Sequence, residues 1–340
     1  MKSTFKIVGW DIGGAHLKAV LLTDAGAQAL QVPCELWRGL DRLEAALNKA
    51  LGVVNANNAQ HAVTMTGELV DLFANRREGV IAIANTVSPL LGKNVQFYAA
   101  GLSNQNHGFV PLASVAAHAE RIASANWCAS ASLLAKHAQN ALFVDIGSTT
   151  TDIVPIINSN VAASTDAQRM ANDTLLYTGI TRTPVMALAQ KLPFEGAQVN
   201  VAAEYFATMA DVYRLTGDLL PENDLAETAD GKGKTAQESA RRLARMVGHD
   251  VEDKPMETWK NLAQTCKNAQ MSQIKQAILK HHKFATPIIG AGAGAFLAAE
   301  IARDLNVEYL TISKALAIDL DENLAVCFPA YAVARLATEC

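Results

Sequence analysis

The amino-acid sequence lacks any long apolar run, any regular cysteine pattern and any basic stretch. No uninterrupted apolar segment long enough to cross a membrane occurs in the 340-residue chain, which excludes a membrane-spanning helix. A net charge of −4 without a long basic run argues against nucleic acid and against an anionic membrane as partners. The cysteines lack Cys-x-x-Cys spacing and are odd in number, so neither a disulfide framework nor a zinc site is expected; they are Cys34, Cys128, Cys266, Cys327 and Cys340.

Aromatic and charged residues are also few, at 6% and 18% of the chain, whereas 50% of the residues are hydrophobic. This balance is typical of a globular protein rather than a disordered one. The length suffices for two domains that each bury a core of their own. A few polar residues at the start lead directly into an apolar strand, without the apolar segment of a signal peptide, and so predict a cytoplasmic protein.

The chain is organised around residues 141–157, with the sequence ALFVDIGSTTTDIVPII. An apolar run ends in Asp145, turns at Gly147, passes through four hydroxyl side chains and resumes after Asp152. The pattern predicts a strand, a tight turn and a second strand. Backbone N–H groups and hydroxyls in such a turn can converge on an anion, and Asp145 at the strand end is placed to hold a divalent cation beside it. An ordinary Thr-rich hairpin is the alternative.

A second copy of this pattern lies near the start of the chain. Residues 5–10 form an apolar run that leads into Asp11, Gly13 and Gly14, and another apolar run follows. The two Asp-Ile-Gly triplets are about one small domain apart. Two similar lobes that each offer a phosphate-sized turn to a shared cleft would form a two-domain binder of a nucleotide or a diphosphate.

A third signal is the sequence GAGAG at residues 290–294, between an expected strand at 285–289 and an expected helix at 295–305. The backbone of such a turn can approach a flat or anionic ligand closely, and the start of the helix offers N–H groups. The stretch lacks the GxGxxG pattern with an acidic residue about 20 positions later that a Rossmann dehydrogenase requires. A dehydrogenase is therefore rejected.

Several polar residues outside these motifs allow two interpretations. Glu68 follows Gly67 at the end of a buried-type strand, where α/β folds present side chains at the carboxyl edge of a sheet. Arg182, in an exposed-looking loop, suits either a carboxylate or phosphate contact or a simple salt bridge. Arg76 and Arg77 belong either to a solvated face or to an anchor for an acidic group of the substrate. Asn126 and Trp127 face either a cleft or the core.

These motifs resemble those of a known superfamily. Residues 11–14, 145–152 and 290–294 are similar to the first phosphate, second phosphate and adenosine motifs of the actin–sugar kinase–Hsp70 fold. With residues 66–69, 76–80, 177–184 and 204–213 added, the chain more narrowly resembles the hydantoinase/oxoprolinase-related proteins of the tetrahydromethanopterin-linked C1 transfer pathway. The resemblance implies an α/β, two-lobed actin/Hsp70/sugar-kinase-like (ribonuclease H-like) fold. His16 is a departure, since the family is expected to have Asn at this position.

The resemblance also implies a reaction. Archaeal relatives would couple a furan to a phenol in methanofuran synthesis: the phenolic oxygen of a γ-glutamyl tyramine attacks the CH2 of an aminomethyl-furanmethyl diphosphate, and pyrophosphate leaves. In bacterial relatives the product would be methylofuran, whose acceptor carries tyrosine. The implied cofactor is Mg²⁺, and the implied partners are a small-molecule diphosphate and a phenolic acceptor. A homodimer stays open.

The resemblance assigns roles to the motif residues. Asp11 and Asp145 would hold Mg²⁺, and Lys18 would contact phosphate if its strand turns that face inward. A phenol with a pKa near 10 benefits from a base, for which Glu68 and Asp152 are the candidates. The residues expected to cradle the diphosphate are Gly13, Gly14, Gly147, Ser148, Thr149 and Thr150, and those expected to bind nucleotide or substrate are Gly67, Arg182, Gly290, Ala291, Gly292 and Gly294.

The predicted first lobe comprises residues 1–138, to which residues 315–340 return. The predicted second lobe comprises residues 139–314, with a helical insertion at about 202–282. The first helix of this insertion is expected over residues 202–216, with Asp211 and Arg214 as a surface pair three positions apart.

Two other functions stay open beside the coupling reaction. The first is an ATP-dependent kinase or a hydantoinase/oxoprolinase-type enzyme, which would bind ATP. The second is a non-catalytic nucleotide-binding regulator. Gly292→Val is expected to fill the adenine site of a kinase without touching Asp11 or Asp145, and so to distinguish a kinase from a coupling enzyme.

Overall fold

The computed structural model describes residues 5–102, 108–283 and 286–339. The chain forms two compact units: the first comprises Met1–Ala141, Val154–Asp166 and Leu310–Cys340, and the second comprises Leu142–Ile153 and Ala167–Tyr309. These borders differ from the predicted lobes, because residues 154–166 belong to the first unit and the return to it begins at Leu310. Ala285, predicted to begin a strand, and Cys340 lie outside the described residues.

The first unit begins with a sheet and the helices that cover it. Its strands and helices up to residue 135 are β1 Lys6–Ile12, β2 His16–Thr23, β3 Gly26–Pro33, α1 Leu40–Val53, β4 Gln60–Met65, α2 Arg76–Leu91, β5 Val95–Tyr98, β6 Phe109–Pro111, α3 Leu112–Ile122 and α4 Asn126–Ala135. The strand order is β3-β2-β1-β4-β5-β6. β1 is antiparallel to β2 and parallel to β4, which brings the ends of β1 and β4 to one edge of the sheet.

The rest of the chain contains a second sheet and most of the helices. Its elements are β7 Asn140–Ile146, β8 Thr151–Ile157, α5 Asp166–Ala171, β9 Leu175–Leu176, β10 Lys191–Phe194, β11 Ala197–Asn200, α6 Met209–Thr216, α7 Ala236–Arg245, α8 Met256–His281, β12 Ile288–Ala291, α9 Ala295–Asp304, β13 Tyr309–Thr311, α10 Ile312–Leu316, α11 Glu322–Val326 and α12 Phe328–Ala337. The second sheet has the order β13-β12-β7-β8-β9, and β12 runs parallel to β7. β10 and β11 form a separate hairpin.

The C-terminal helix α12 packs directly against the first strand of the chain. A Cβ atom at Gly9 in β1 would lie 1.9 Å from the carbonyl oxygen of Ala330 in α12. Only glycine permits this approach of backbone to backbone. The close approach of α12 therefore explains why the apolar run before Asp11 contains a glycine.

The first helix of the predicted insertion begins at Met209 rather than at residue 202. Thr208 and Asp211 form a capping box in which the N–H of Thr208 donates to Asp211 Oδ2 at 3.1 Å, and this box fixes the start of α6. Asp211 is fully buried, so the predicted surface pair with Arg214 is wrong. Its Oδ1 accepts hydrogen bonds from Arg214 and from the buried Arg242. Two arginines thus surround a carboxylate in the core of the insertion.

No helix among the described residues is both long and apolar enough to cross a membrane.

A buried polar pair between β1 and β4 makes the stability of the first unit depend on pH. Trp10 Nε1 donates to His61 Nδ1 at 3.0 Å, and burial lowers the pKa of His61 from 6.5 to about 4. His61 therefore stays neutral in the folded protein under conditions in which the unfolded chain binds a proton. The free energy of unfolding should fall as the pH decreases from 6.5 to 4, by about 3 kcal/mol from this residue, from 2.5 pH units at about 1.36 kcal/mol each.

Denaturant unfolding of His61→Asn at several pH values tests this expectation. The Asn side-chain oxygen can still accept from Trp10 but does not titrate, so the variant should show a shallower loss of stability toward acid. His137→Asn, at an exposed position, is the matched control and should follow the wild type. Equal acid slopes for His61→Asn and the wild type would contradict the assignment.

Candidate functional site

The first Asp-Ile-Gly motif places Asp11 near the end of β1, where its side chain is buried. Asp11 lies directly opposite Lys18 of β2, so both side chains project from the same face of the sheet. Lys18 Nζ donates to the carbonyl oxygen of Val326 at 2.9 Å, at the end of α11. The ammonium group thus anchors the returning C-terminal segment, and a phosphate contact of Lys18 stays a prediction.

Backbone contacts hold the first turn in place. Gly13 N–H donates to the carbonyl of His16 at 2.9 Å. A Cβ atom at Gly14 would lie 2.7 Å from Val70 Cγ1, and one at Gly67 would lie 2.7 Å from Leu36 Cδ2. The structure therefore explains Gly14 and Gly67 by close packing of the turn.

The second turn is supported by the segment of residues 178–182. Gly147 N–H donates to the carbonyl of Thr150 at 2.9 Å, which closes the turn, and the hydroxyls of Ser148 and Thr149 lie 3.4 Å apart. The carbonyl of Ser148 accepts from the backbone N–H groups of residues 181 and 182. A Cβ atom at Gly179 would lie 2.4 Å from the backbone nitrogen of Thr149. Residues 178–182 thus form a tight backing for the predicted phosphate turn.

The structure brings the glycine-rich motif and the second Asp-Ile-Gly motif together. Ala291 of β12 pairs with Asp145 of β7, and Gly294 N–H donates to the carbonyl of Ile146 at 2.8 Å. Gly292 has φ +78°, and a Cβ atom there would lie 2.4 Å from Asp145 Oδ1. The glycine-rich turn therefore packs directly against the Asp145 carboxylate.

This contact overturns the expectation that Gly292→Val leaves Asp145 untouched. The left-handed backbone conformation and the contact with Asp145 Oδ1 mean that a valine must displace the carboxylate. Gly292→Val is now expected to weaken pyrophosphate and ATP binding together, at least tenfold each in the presence of Mg²⁺. Isothermal titration calorimetry with both ligands measures this, and the exposed Gly52, where a Cβ atom meets nothing within 4 Å, provides the control variant Gly52→Ala. Loss of ATP binding alone would restore the original expectation.

Gly290 is a glycine for a different reason. A Cβ atom at this position would lie 2.4 Å from the hydroxyl oxygen of Tyr309, which donates to the carbonyl of Ala295 at 3.3 Å. Gly290 therefore lets the ring of Tyr309 cover the strand. The small residue at position 290 serves packing inside the second unit.

The two candidate bases have different surroundings. Asp152 Oδ1 accepts from Arg169 Nη2 at 2.7 Å, and the Arg169 guanidinium is buried and also donates to the carbonyl of Thr174. This ion pair favours an anchoring role for Asp152 in the second sheet. Glu68 has no such basic partner within hydrogen-bonding distance among the described residues.

Glu68 is an almost fully buried carboxyl group in the first unit. Its Oε1 accepts from the backbone N–H of Ser124 at 2.8 Å and lies 3.0 Å from Ser124 Oγ. Its Oε2 is buried and has no hydrogen-bond partner among the described residues. Burial, opposed by the bonds from Ser124 and reinforced by the charge of Asp166, raises the pKa of Glu68 from 4.5 to about 7. A carboxyl group that titrates near neutrality is suited to proton transfer.

The backbone of Arg182 is bonded to the second turn. Its N–H donates to the carbonyl of Ser148 at 2.9 Å, whereas its side chain is exposed. Partial burial raises the pKa of the exposed Tyr205, and the charge of Arg182 opposes this shift. Arg182 is thus anchored through its backbone at the predicted phosphate turn.

The other undecided residues also have defined positions. Arg76 Nη1 pairs with Asp166 Oδ2 at 3.0 Å, whereas Arg77 is exposed at the start of α2. Trp127 is buried in α4, and its backbone N–H donates to Asn126 Oδ1 at 2.7 Å. Trp127 therefore belongs to the core of the first unit.

Comparison with known proteins identifies the family of the chain. The sequence profile of the hydantoinase/oxoprolinase family matches residues 60–339. The chain belongs to this family. The resemblance inferred from the motifs is therefore confirmed.

Two relatives to which this hydantoinase/oxoprolinase protein is similar carry the same name. The chain is 31% identical over 335 residues, covering 97% of both chains, to (4-{4-[2-(gamma-L-glutamylamino)ethyl]phenoxymethyl}furan-2-yl)methanamine synthase of Methanocaldococcus jannaschii. It is 39% identical over 115 residues to the synthase of that name from Methanococcus vannielii, covering 33% of this chain and 51% of that one.

Among solved structures, a nucleotide-free acetone carboxylase is similar with a TM-score of 0.51 at 10% identity, covering 97% of this chain and 70% of that one. The fold of this hydantoinase/oxoprolinase protein is the predicted α/β fold of the actin/Hsp70/sugar-kinase class.

Sequence reasoning missed several residues that shape the candidate site of this family member. Ser124 and Asp166 contact Glu68 directly or through one hydroxyl. Gln270 of α8 donates to the hydroxyl of Thr178 and to the carbonyl of Gly179. No local pattern marks them, since each is defined by a partner many positions away in the chain.

The donor set suits a magnesium ion that is completed by substrate. The described residues contain no group of three or more His, Cys, Asp or Glu side chains arranged to hold a metal. Mg²⁺ commonly uses only one or two protein carboxylates, with water and substrate phosphates as its other ligands. Asp145, with its Oδ1 against the Gly292 backbone, fits that pattern because the missing Cβ leaves the carboxylate in place.

Proposed function

We propose that this protein is a synthase that makes the furan–phenol ether of a methanofuran-type cofactor. It would join an aminomethyl-furanmethyl diphosphate to the phenolic oxygen of a γ-glutamyl tyramine or γ-glutamyl tyrosine and release pyrophosphate. The observation that carries the proposal is the identity of 31% over 97% of both chains to a relative named as a synthase of such an aryl-methyl ether. In the transferase reaction one C–O bond forms at the furan CH2, the C–O bond to diphosphate breaks, and the phenol loses its proton.

A role in diphosphate binding is proposed for one turn of each unit. In the first unit these residues are Gly13 and Gly14, and in the second unit they are Gly147 and Ser148 to Thr150. The closure of the second turn and its backing by Gly179 support this role, because donors that are fixed in advance need no reorganisation when charge develops on the leaving oxygens. Bound Mg²⁺ would neutralise the charge of the departing pyrophosphate. Asp145 of the second unit is a proposed carboxylate ligand, and for Asp11 of the first unit the same role stays a prediction.

Glu68 would accept the proton of the phenol. Its raised pKa, near 7, and its buried Oε2 support this role, whereas Asp152 is engaged by Arg169. A carboxylate with a pKa near the working pH combines a large ionised fraction with useful basicity. The furan assists by delocalising positive charge on its CH2, so the protein mainly positions the two substrates.

Arg182 and Tyr205 would bind the acceptor. The exposed guanidinium beside the half-buried phenol ring suits the carboxylate of a γ-glutamyl group and an aromatic ring next to it. The backbone bond of Arg182 to Ser148 supports a site next to the second turn. A cytoplasmic location and a homodimer stay predictions.

One assay distinguishes this proposal from its alternatives. Purified protein is incubated with Mg²⁺ and either ATP or the furanmethyl diphosphate together with γ-glutamyl tyramine or γ-glutamyl tyrosine. The products are assayed as ADP, pyrophosphate and the ether. Pyrophosphate and ether in equal amounts, dependent on the acceptor, are expected. ADP formation without ether would support the ATP-dependent enzyme, and no turnover with any substrate would support the regulator.

A further inference from the structure

Ser124 lies between two buried carboxyl groups of the first unit. Its Oγ is 3.0 Å from Glu68 Oε1 and 2.9 Å from Asp166 Oδ2, and both carboxyl side chains are almost completely buried. A hydroxyl has a single proton, so it donates to one of these oxygens at a time. Two ionised carboxylates that contact one hydroxyl repel each other.

Arg76 decides which of the two carboxyl groups carries the charge. Its Nη1 lies 3.0 Å from Asp166 Oδ2, so the ionised form of Asp166 has a positive partner. Glu68 Oε2 is buried and has no hydrogen-bond partner among the described residues, which makes a negative charge there costly. A proton on Oε2 removes that charge and leaves Oε1 to accept from the backbone N–H of Ser124.

The backbone around this cluster is specialised. Ser124 has φ +50°, a left-handed conformation that is uncommon for serine and that aims both its N–H and its Oγ at the same oxygen of Glu68. On the other side, a Cβ atom at Gly79 would lie 2.8 Å from Glu68 Cβ, so α2 packs directly onto the glutamate. Glu68 is therefore held from two sides with one oxygen engaged.

Other charged groups on the adjacent elements are directed elsewhere. Asp166 is the charged residue that acts on Glu68. The remaining groups are Arg77, exposed on α2; Glu78, which accepts from Asn75; His118 and Glu120 of α3, half-buried and exposed; Arg121 of α3, which donates to the carbonyls of Ala100 and Gly101; Arg169 of α5, which pairs with Asp152; and Asp71, exposed on the segment of Glu68 itself.

We infer that Glu68, Ser124 and Asp166 form a proton-sharing unit in which Arg76 keeps Asp166 ionised and the shared proton resides on Glu68. With Glu68 protonated, Ser124 Oγ–H donates to Asp166. With Glu68 ionised, the same hydroxyl rotates and donates to Glu68 Oε1, while Arg76 still neutralises Asp166. Between the two states Glu68 gains or loses one proton and the hydroxyl hydrogen of Ser124 rotates.

This switch would let Glu68 take up and release a proton without movement of heavy atoms. The catalytic use of the switch rests on the proposed function. The sharing of the proton does not, because it follows from the contacts of the folded first unit. Ser124 and Asp166 are therefore positioning residues, and their effect is measurable on the carboxyl group of Glu68 without substrate.

Infrared difference spectroscopy of the full-length protein tests the unit. The wild type should show a protonated-carboxyl C=O band that fades as the pH rises through about 7 and that is absent in Glu68→Gln. In Asp166→Asn the midpoint of this band should move to lower pH, because the charge of Asp166 raises the pKa of Glu68. In Ser124→Ala it should move to higher pH, because the hydroxyl bond favours the ionised form. Glu44→Gln, at an exposed position of α1, is the control and should leave the band unchanged.

Two results would overturn the inference: no band sensitive to Glu68→Gln between about pH 5 and pH 9, or unchanged midpoints in both Asp166→Asn and Ser124→Ala. Ser124→Ala retains the backbone bond to Glu68, so it provides the test if Asp166→Asn does not fold. Pyrophosphate release is measured on the same samples. A normal band with no ether formation would reject the coupling reaction and leave the proton-sharing unit intact.

Discussion

Asp145→Asn is expected to reduce pyrophosphate release about 10²- to 10³-fold, the usual range for loss of a group that stabilises developing charge. The amide is nearly the same size as the carboxylate, so the contact with the Gly292 backbone is retained and the protein should fold normally. A neutral amide is a much weaker ligand for a hard cation such as Mg²⁺. The measurements are the rate of pyrophosphate release over a range of Mg²⁺ concentrations and the thermal unfolding midpoint.

The same hairpin offers a matched control. Asp152→Asn removes the other acid of the motif, whose partner is the buried Arg169. This variant should unfold at a lower temperature, because a buried guanidinium loses its counter-charge, and should keep activity within a fewfold of the wild type. Near-normal turnover of Asp145→Asn at saturating Mg²⁺, or equal losses in both variants, would reject Asp145 as the magnesium ligand.

Glu68→Gln should lower the rate of ether formation about 10²- to 10⁴-fold, the contribution typical of a general base. Gln retains an oxygen that accepts from the backbone N–H and the hydroxyl of Ser124, so the packing is preserved. The wild-type rate should rise with pH through about 7 as Glu68 ionises, and the variant should lack this rise. Rate profiles between about pH 5 and pH 9 measure both effects. A profile with the same inflection in the variant would rule out Glu68 as the base.

The stability of Glu68→Gln gives a second, independent measurement. The pKa of Glu68 is higher in the folded protein, about 7 against 4.5, so the folded state binds more protons than the unfolded state in this window. The free energy of unfolding therefore falls as the pH rises from 4.5 to 7. Gln does not titrate, so the variant does not lose this free energy. At pH 8 the variant should be more stable than the wild type, by at most about 3 kcal/mol, from 2.5 pH units at about 1.36 kcal/mol each.

The parts of the site that could be predicted from the sequence are those that depend only on residues close together in the chain. Asp11 and Asp145 end apolar runs and precede glycine turns, and the structure has both at the ends of strands. The start of α6 was misplaced because the capping box of Thr208 and Asp211 selects one of several helical registers. Asp211 was expected on the surface because the helix pattern does not reveal that Arg242, which lies on α7, surrounds it from the other side.

By itself, the sequence determined the positions of the three turn motifs, because apolar runs, glycines and acidic residues at strand ends are local features. The resemblance of these motifs to those of a known family indicated the family and the fold class. Only the tertiary structure decided that Gly292 lies against Asp145, that Asp152 is engaged by Arg169, and that Ser124 joins Glu68 to Asp166. These contacts join residues 17 to 147 positions apart, from Asp152 with Arg169 to Asp145 with Gly292, and depend on how strands and helices pack. Burial and the partners of a carboxyl group set its protonation, and both exist only once the chain has folded.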